Sequence, residues 1–337
     1  MAETTTIGAA ELEALIAAAL VASNTGATNA RSVARALTQA EIDGQKGHGL
    51  SRVPIYAAQA RAGKVDGQAT PSVRQTRPGS LMIDVANGFV FPAVDLAVER
   101  LPGLAAATAI AAAGFVRSHH FGVVGRHVER LADAGLLALA FANTPKAIAP
   151  WGGRQPVLGT NPLAFAAPRR DKPPIVVDLA LSQVARGKIL TASQKGEPIP
   201  AGWAVDEHGN PTTDAKLALK GALQPIGGAK GAALALMVEI LAVALTGAVL
   251  SSQASSFFDA EGPPPGVGQL IIAIDPGAFA GSDLFLDRLA VLARTIESDA
   301  AARLPGSRRL ALRERAQRDG VAVDAALLAE ARALAGA

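Results

Sequence analysis

The sequence predicts a mixed α/β (α+β) fold whose parts are interleaved along the chain. Three observations carry that prediction. Apolar residues recur at helical spacing over 8–23 and 28–42, whereas 136–142, 163–167, 175–179 and 269–274 are short apolar runs of strand length. A chain of 337 residues exceeds what one compact core usually organises, so two or three subdomains are expected. No internal repeat and no rich linker marks a boundary between them, so they must interleave.

Composition narrows the class. Half of the residues are apolar and 18% are charged, which is a globular and not a disordered balance. The absence of cysteine excludes disulfides and thiolate chemistry and suits a reducing cytoplasm. A net charge of +3, from 32 basic and 29 acidic residues, is not a nucleic-acid profile. No basic stretch followed by an apolar run opens the chain, so no signal peptide is expected. Residues 231–250 approach the length of a membrane span. Lys230 precedes them, Glu239 interrupts them and six alanines dilute them, so a buried helix over 230–249 and no membrane partner are the reading.

The elements follow in order. The two N-terminal helices are parted by residues 23–29, with Thr28 or Asn29 as N-cap of the second. Val53–Ala62 is a helix ending at Gly63. Residues 73–91 alternate in polarity around Asn87-Gly88, which reads as a hairpin with a tight turn. An alanine-rich helix over 92–113 is interrupted by Pro102-Gly103, a short strand covers 114–117, and a helix covers 123–134. After the strand 136–142 comes a Pro- and Gly-rich loop over 143–153. The strands 163–167 and 175–179 are joined by the polar turn Arg169-Arg170-Asp171-Lys172. A helix capped by Ser182 covers 180–194, an irregular loop covers 197–214, and the apolar helix over 230–249 follows. An omega-like loop over 251–266, the strand 269–274, and helices over 279–301 and 324–335 close the chain.

One stretch concentrates chemistry. Asp43-Gly44-Gln45-Lys46-Gly47-His48-Gly49-Leu50-Ser51-Arg52 packs an acid, a lysine, a histidine and an arginine among three glycines. If a helix begins near Gly47, His48 and Arg52 project from one face. A titratable imidazole beside a fixed guanidinium can hold an anion and move a proton. A capped helix start with solvated charges explains the same residues. The five histidines, at 48, 119, 120, 127 and 208, lack metal-ligand spacing, so no metal is expected. Nucleophile-elbow, P-loop and Gly-x-Gly-x-x-Gly motifs are absent. Glycine turns at 118–125, 225–231 and 304–309 each read as ordinary loops, and together suit a phosphate-bearing ligand such as a dinucleotide.

Beyond these patterns the chain carries a resemblance. The 43–52 stretch is followed by Ser118-His119-His120-Phe121-Gly122, Asn143-Thr144-Pro145-Lys146, Pro150-Trp151-Gly152-Gly153 and Leu158-Gly159-Thr160-Asn161-Pro162. Val177 to Ser182, Gly187-Lys188 and Gly227 to Gly231 complete the series. In that order they resemble the malate/L-lactate dehydrogenase family, whose fold is not of the Rossmann type. Its relatives include sulfolactate, ureidoglycolate and diketogulonate dehydrogenases and the reductases of piperideine- and pyrroline-2-carboxylate.

The resemblance implies an NAD(P)-dependent enzyme that interconverts a small anionic 2-oxo acid and its 2-hydroxy acid. His48 would be the proton donor and acceptor, with a pKa near neutrality; Arg52 would clamp the substrate carboxylate and Thr160 would touch the substrate. His120, Phe121, Gly122, Val123, Val124, Asp178, Leu179, Ala180, Ala229, Lys230 and the turn Pro305, Gly306, Ser307, Arg308, Arg309 would line the cofactor. Residues 1–75 and 270–337 would form a helical, dimerising part, and 76–269 a central part binding cofactor and substrate. A cytoplasmic homodimer is implied. Lys146 would meet a second anionic group of the substrate, or is a solvated loop lysine. Arg169, Arg170, Arg308 and Arg309 tilt the choice toward NADP while leaving NAD open.

Two departures bear on the reaction. The cyclic-imine reductases of the family carry a serine before this histidine and an aspartate after the later Ala-x-Gly, in a proton relay. Gly47 and Lys188 stand there instead. Malate or sulfolactate chemistry is therefore the leading expectation. Reduction of a cyclic 2-imino acid is the alternative, and a nucleotide-binding homologue with little catalysis is the second.

Overall fold

In the computed structural model, which describes residues 3–336, the chain opens with strand β1 (Thr4–Ile7) and helices α1 (Ala9–Val21), α2 (Ala27–Ile42) and α3 (Val53–Ala62). Helix α1 buries Leu12, Ile16, Ala19 and Leu20, one face at helical spacing. Neither Thr28 nor Asn29 caps α2. Gly26 is the N-cap, and the Asn29 amide donates to the carbonyls of Gly67 and Ala69, each at 2.9 Å. Helix α3 ends at Gly63 with a left-handed φ of 74°, as expected.

Next come β2 (Ser72–Arg77), β3 (Ser80–Asp84), α4 (Val90–Thr108), β4 (Ile110–Ser118) and α5 (Val124–Asp133). The expected hairpin exists, but it turns at Pro78-Gly79 and not at Asn87-Gly88, with Arg77 opposite Ser80. The helix expected over 92–113 ends at Thr108, with Pro102 inside it, and its last alanines belong to β4. Alanine fits either state, and burial of Ala111 and Ala113 under the sheet decides for strand.

Strands β5 (Leu137–Ala142), β6 (Leu163–Arg169) and β7 (Lys172–Leu179) follow, the last two joined by the expected polar turn. Helix α6 (Arg186–Lys195), β8 (Ala204–Val205), β9 (Pro211–Thr212), α7 (Ala215–Lys220), β10 (Ala222–Leu223) and α8 (Ala229–Glu239) come next. The helix expected from Ala180 begins only at Arg186. Leu181 is held as extended backbone by Thr160 and Ile226, and the Ser182 hydroxyl donates to the Val184 carbonyl at 2.8 Å instead of capping.

The chain closes with β11 (Val267–Ile274), α9 (Ser282–Glu297), α10 (Ser307–Asp319), β12 (Val321–Asp324) and α11 (Ala325–Ala335). The Pro305–Arg309 turn expected from the sequence leads into α10, which had no apolar stripe to announce it. The pairing of β1 with β12, four residues each, was equally silent.

Seven strands form the central sheet in the order β2-β3-β4-β11-β5-β6-β7. Only β3 and β4 run parallel, with α4 as their crossover. The sheet is covered on both faces. One core joins it to α1–α5 and α11; a second joins Phe141 and Leu270 to α6, α7 and α8. Strands β2 and β11 lie across positions 75 and 270, and the division of the chain there is retained as a proposal.

The expected buried helix over 230–249 is shorter and half-exposed. After α8 the chain passes through a wide turn, Ile240–Ala244, and Leu236 and Ile240 are 52% and 53% exposed. Its interrupting charge has a clear task. The buried Glu239 carboxylate accepts from the Ser251 amide at 2.7 Å, the Ser251 hydroxyl at 2.6 Å and the Asn161 amide at 2.9 Å. Every contact satisfies a buried charge, and together they anchor the 251–266 loop.

Candidate active site

Two short 3₁₀ turns, Lys46–His48 and Leu50–Arg52, replace the helix expected from Gly47. Gly49 separates them for a steric reason. The buried Glu41 carboxylate accepts from the Leu50 amide at 2.7 Å and stands 2.3 Å from where a Cβ on residue 49 would be. The same carboxylate meets Lys46 Nζ at 2.5 Å. Lys46 and Glu41 thus hold the turn, and His48 and Arg52 are left to the cleft beside it.

Arg52 Nε donates to the Gly47 carbonyl at 2.8 Å, and its guanidinium lies over the Phe258 ring at 5.1 Å. Its two terminal nitrogens have no protein partner among the described residues. They form a fork matched to a carboxylate.

The cleft has a volume of about 500 Å³ and brings together His48, Arg52, His120–Val124, Lys146, Thr160, Asp178 and Ala180, all expected from the sequence. The Thr160 amide is fixed by the Thr144 hydroxyl at 2.9 Å. Phe121–Val124 lead into the start of α5, where Val123 supplies no side-chain cap and the amides of Phe121–Val124 have no partner among the described residues. The free amides there suit a phosphate. Asp178 accepts from the Gly125 amide at 2.8 Å, an approach possible because residue 125 has no Cβ. Burial raises the Asp178 carboxyl above its ordinary range, against that hydrogen bond.

Other expected residues lie elsewhere. Leu179 alternates away from Asp178 and is exposed; Ala229 and Lys230 sit on the exposed start of α8. Pro305 and Ser307 line a separate cavity of about 300 Å³ with Arg169 and Arg303. Arg308 is exposed, while Gly306 lies beside the Val176 carbonyl and the buried Arg309, which is 4.0 Å from Asp43. None of these lines the cleft that holds His48.

Histidines and aromatics build the back of that cleft. The rings of His48 and His120 stack at 5.1 Å and 14°. Tyr56 Oη lies 2.6 Å from His120 Nδ1, and Phe257 packs against both His119 and His120. Burial, then the nearby Arg52 charge, pushes His48 down to about 4 and His119 to about 3. This corrects the expectation of a His48 near neutrality: in the free protein it is a neutral imidazole at pH 7.

Sequence reasoning missed Tyr56, Phe257, Phe258 and Arg186, which shape or line this cleft. Tyr56 carried a usable signal, as the only tyrosine and one helical turn after Arg52. Arg186 had none, because it was read into the middle of a helix.

A mixed sheet thus brings an imidazole, a free guanidinium fork and the unpartnered amides before α5 to one cleft. The chain matches the malate/L-lactate dehydrogenase family over residues 7–332 and belongs to it. It is 49% identical over 325 residues to a (2R)-3-sulfolactate dehydrogenase (NADP(+)) of Chromohalobacter salexigens, covering 96% of each. With a Δ1-pyrroline-2-carboxylate/Δ1-piperideine-2-carboxylate reductase of Pseudomonas putida it shares 42% over 318 residues, 93% of this chain and 92% of that one. The Δ1-piperideine-2-carboxylate reductase structure from Pseudomonas syringae superposes with a TM-score of 0.92 at 37% identity, covering 98% and 99% of the two chains. Sulfolactate dehydrogenase from Methanocaldococcus jannaschii does so at 0.88 and 29%, covering 98% of each. This chain is an NAD(P)-dependent oxidoreductase that interconverts a 2-hydroxy acid with its 2-oxo acid or reduces a 2-imino acid to the 2-amino acid.

Proposed function

We propose that this enzyme interconverts a 2-hydroxy acid bearing a second anionic group, of the sulfolactate or malate type, with its 2-oxo acid, using NADP. The observation that carries the proposal is Arg52, held by Gly47 and Phe258 with its terminal nitrogens free, four residues from His48 in one cleft. Lys146 and Arg186 line the same cleft and supply cations for the second anion.

The cleft suits the cofactor. The amides of Phe121–Val124 fit its phosphates, the Asp178 oxygen not bound to Gly125 fits a ribose hydroxyl, and Ala142, Pro162 and Ala180 offer a flat apolar wall. The Pro305–Arg309 turn, with Arg169 and Arg303 around its cavity, is the place we assign to its far, adenosine end. When bound, the nicotinamide accepts or supplies the hydride at substrate C2. Arg52 binds the C1 carboxylate in two parallel hydrogen bonds and fixes C2. Neutral His48 accepts the C2 hydroxyl proton during oxidation and returns it to the carbonyl oxygen during reduction. Burial is the larger cause of the lowered His48 and the Arg52 charge the smaller; a carboxylate on Arg52 offsets the second.

Gly47 and Lys188 provide neither hydroxyl nor carboxylate for the relay of the imine reductases, which favours the hydroxy-acid reading over the cyclic-imine one. We propose a cytoplasmic homodimer; the exposed Leu234, Met237 and Ile240 of α8 and its turn and Leu284, Val291 and Leu292 of α9 support the pairing.

Initial rates with sulfolactate, malate and lactate against NADP and NAD, and with piperideine-2-carboxylate against the reduced cofactors, test the reading. It predicts the highest kcat/KM for a dianionic 2-hydroxy acid with NADP. Preference for the cyclic imine, or for lactate, contradicts it.

A further inference from the structure

His48 lacks what usually orients a catalytic imidazole. Its Nδ1 is buried and has no hydrogen-bond partner, and no carboxylate or hydroxyl reaches it among the described residues. What it has is a flat neighbour, the His120 ring, stacked face to face at 5.1 Å and 14°. That neighbour is itself pinned. Tyr56 is fully buried, and its hydroxyl lies 2.6 Å from His120 Nδ1. Phe257, 5.2 Å away by centroid, packs against the His120 ring as well.

The chemistry of the Tyr56–His120 pair sets its direction. The hydroxyl proton of a buried tyrosine needs an acceptor, and His120 Nδ1 is the partner the structure gives it. Were Nδ1 protonated instead, it would donate to the Tyr56 oxygen and the buried hydroxyl proton would be left without an acceptor among the described residues. Tyr56 therefore donates, Nδ1 accepts, and the His120 proton resides on Nε2. Burial and the charge of Arg52 keep this ring neutral, which removes the repulsion that a cation would exert on a proton held by His48.

We propose that Tyr56 and His120 are a positioning pair for His48: the hydroxyl fixes the tautomer and tilt of His120, and the His120 face fixes the plane of the proton-transferring imidazole. They take the place that a hydrogen-bonded orienting residue holds elsewhere. The proposal rests on His48 being the proton carrier, and its first test does not depend on turnover.

That test is long-range ¹H–¹⁵N NMR of the histidine side chains in the intact enzyme. His120 shows a single neutral Nε2–H tautomer, and Tyr56→Phe converts it to a tautomer mixture. A protonated Nδ1 in the parent enzyme overturns the pairing. The second test is kinetic, with the panel's best substrate. His120→Ala lowers kcat by about 100-fold with substrate KM within about threefold, the size expected for a misplaced general base. His120→Phe, which keeps a flat ring, recovers most of that loss, and Tyr56→Phe lowers kcat alone by about tenfold. An alanine variant within twofold of the parent, equal damage in the alanine and phenylalanine variants, or a loss confined to KM overturns the proposal. If the alanine variant does not fold, the phenylalanine variants at both positions decide. Failure of the hydroxy-acid reading shows separately, as absent turnover in the parent enzyme with an unchanged NMR result.

Discussion

Arg313 binds Asp43 through two parallel hydrogen bonds, from Nε at 2.6 Å and from a terminal nitrogen at 2.8 Å. The same guanidinium donates to both oxygens of Glu129 at 2.7 Å. One arginine of α10 thereby ties the start of the His48 stretch to α5, whose first residue lines the same cleft. Neither carboxylate is exposed, so the cation neutralises charge that water does not reach.

Arg313→Met takes the shared cation from two buried carboxylates, leaving Glu129 with Arg126 and Asp43 with Gln39. The expected cost is about 3 kcal/mol, the usual size for removing one partner of a buried ion pair. Burial alone would raise the Glu129 carboxyl, yet the hydrogen bonds from Arg313 bring it below its ordinary 4.5. Its contribution is thus full above pH 4.5 and fades as pH falls through the lower folded value. Urea unfolding at pH 7 and at pH 3.5 checks this; an equal loss at both contradicts it.

Buried histidines give a second dependence, of the same sign. Burial lowers His119 to about 3 and His127 to about 4 from an ordinary 6.5. The unfolded chain then binds more protons between those values, so stability is full above pH 6.5 and declines as pH falls toward 4. Urea midpoints measured from pH 7.5 to 4.5 should fall steadily below 6.5, and His127→Gln should flatten the decline. A midpoint constant down to pH 5 rules the account out.

Arg52→Lys keeps the charge and loses the fork. Substrate KM should rise by about 10- to 100-fold, the worth of a charge-assisted hydrogen bond, while NADP affinity stays within about twofold. Cofactor fluorescence titration beside initial rates separates the two, and an unchanged KM places the carboxylate elsewhere.

The sequence made these strands legible because packing in the covered sheet demands short apolar runs, and 136–142, 163–167 and 175–179 read as such. It revealed only the second half of β4, and it did not reveal α10. The alanines before Gly114 serve helix or strand alike, and Ser307–Asp319 is too charged to show a buried stripe. In the site, His48 and Arg52 stood out through spacing and resemblance, and Gly49 gained its reason only when Glu41 was seen beside it. Tyr56, Phe257 and Phe258 act through packing across distant segments, which no local pattern records. The His48 basicity was misjudged because burial and the Arg52 field are properties of the folded cleft.

Proton transfer by His48 is the centre of this account, and the rate of NADPH formation at 340 nm with saturating sulfolactate or malate tests it most directly. Parent enzyme and His48→Ala are compared at pH 8, each with its NADP Kd measured. The account predicts a parent that turns over and a variant slower by about 100- to 10,000-fold, the range for a removed general base, with Kd unchanged. A His48→Ala enzyme within threefold of its parent contradicts it.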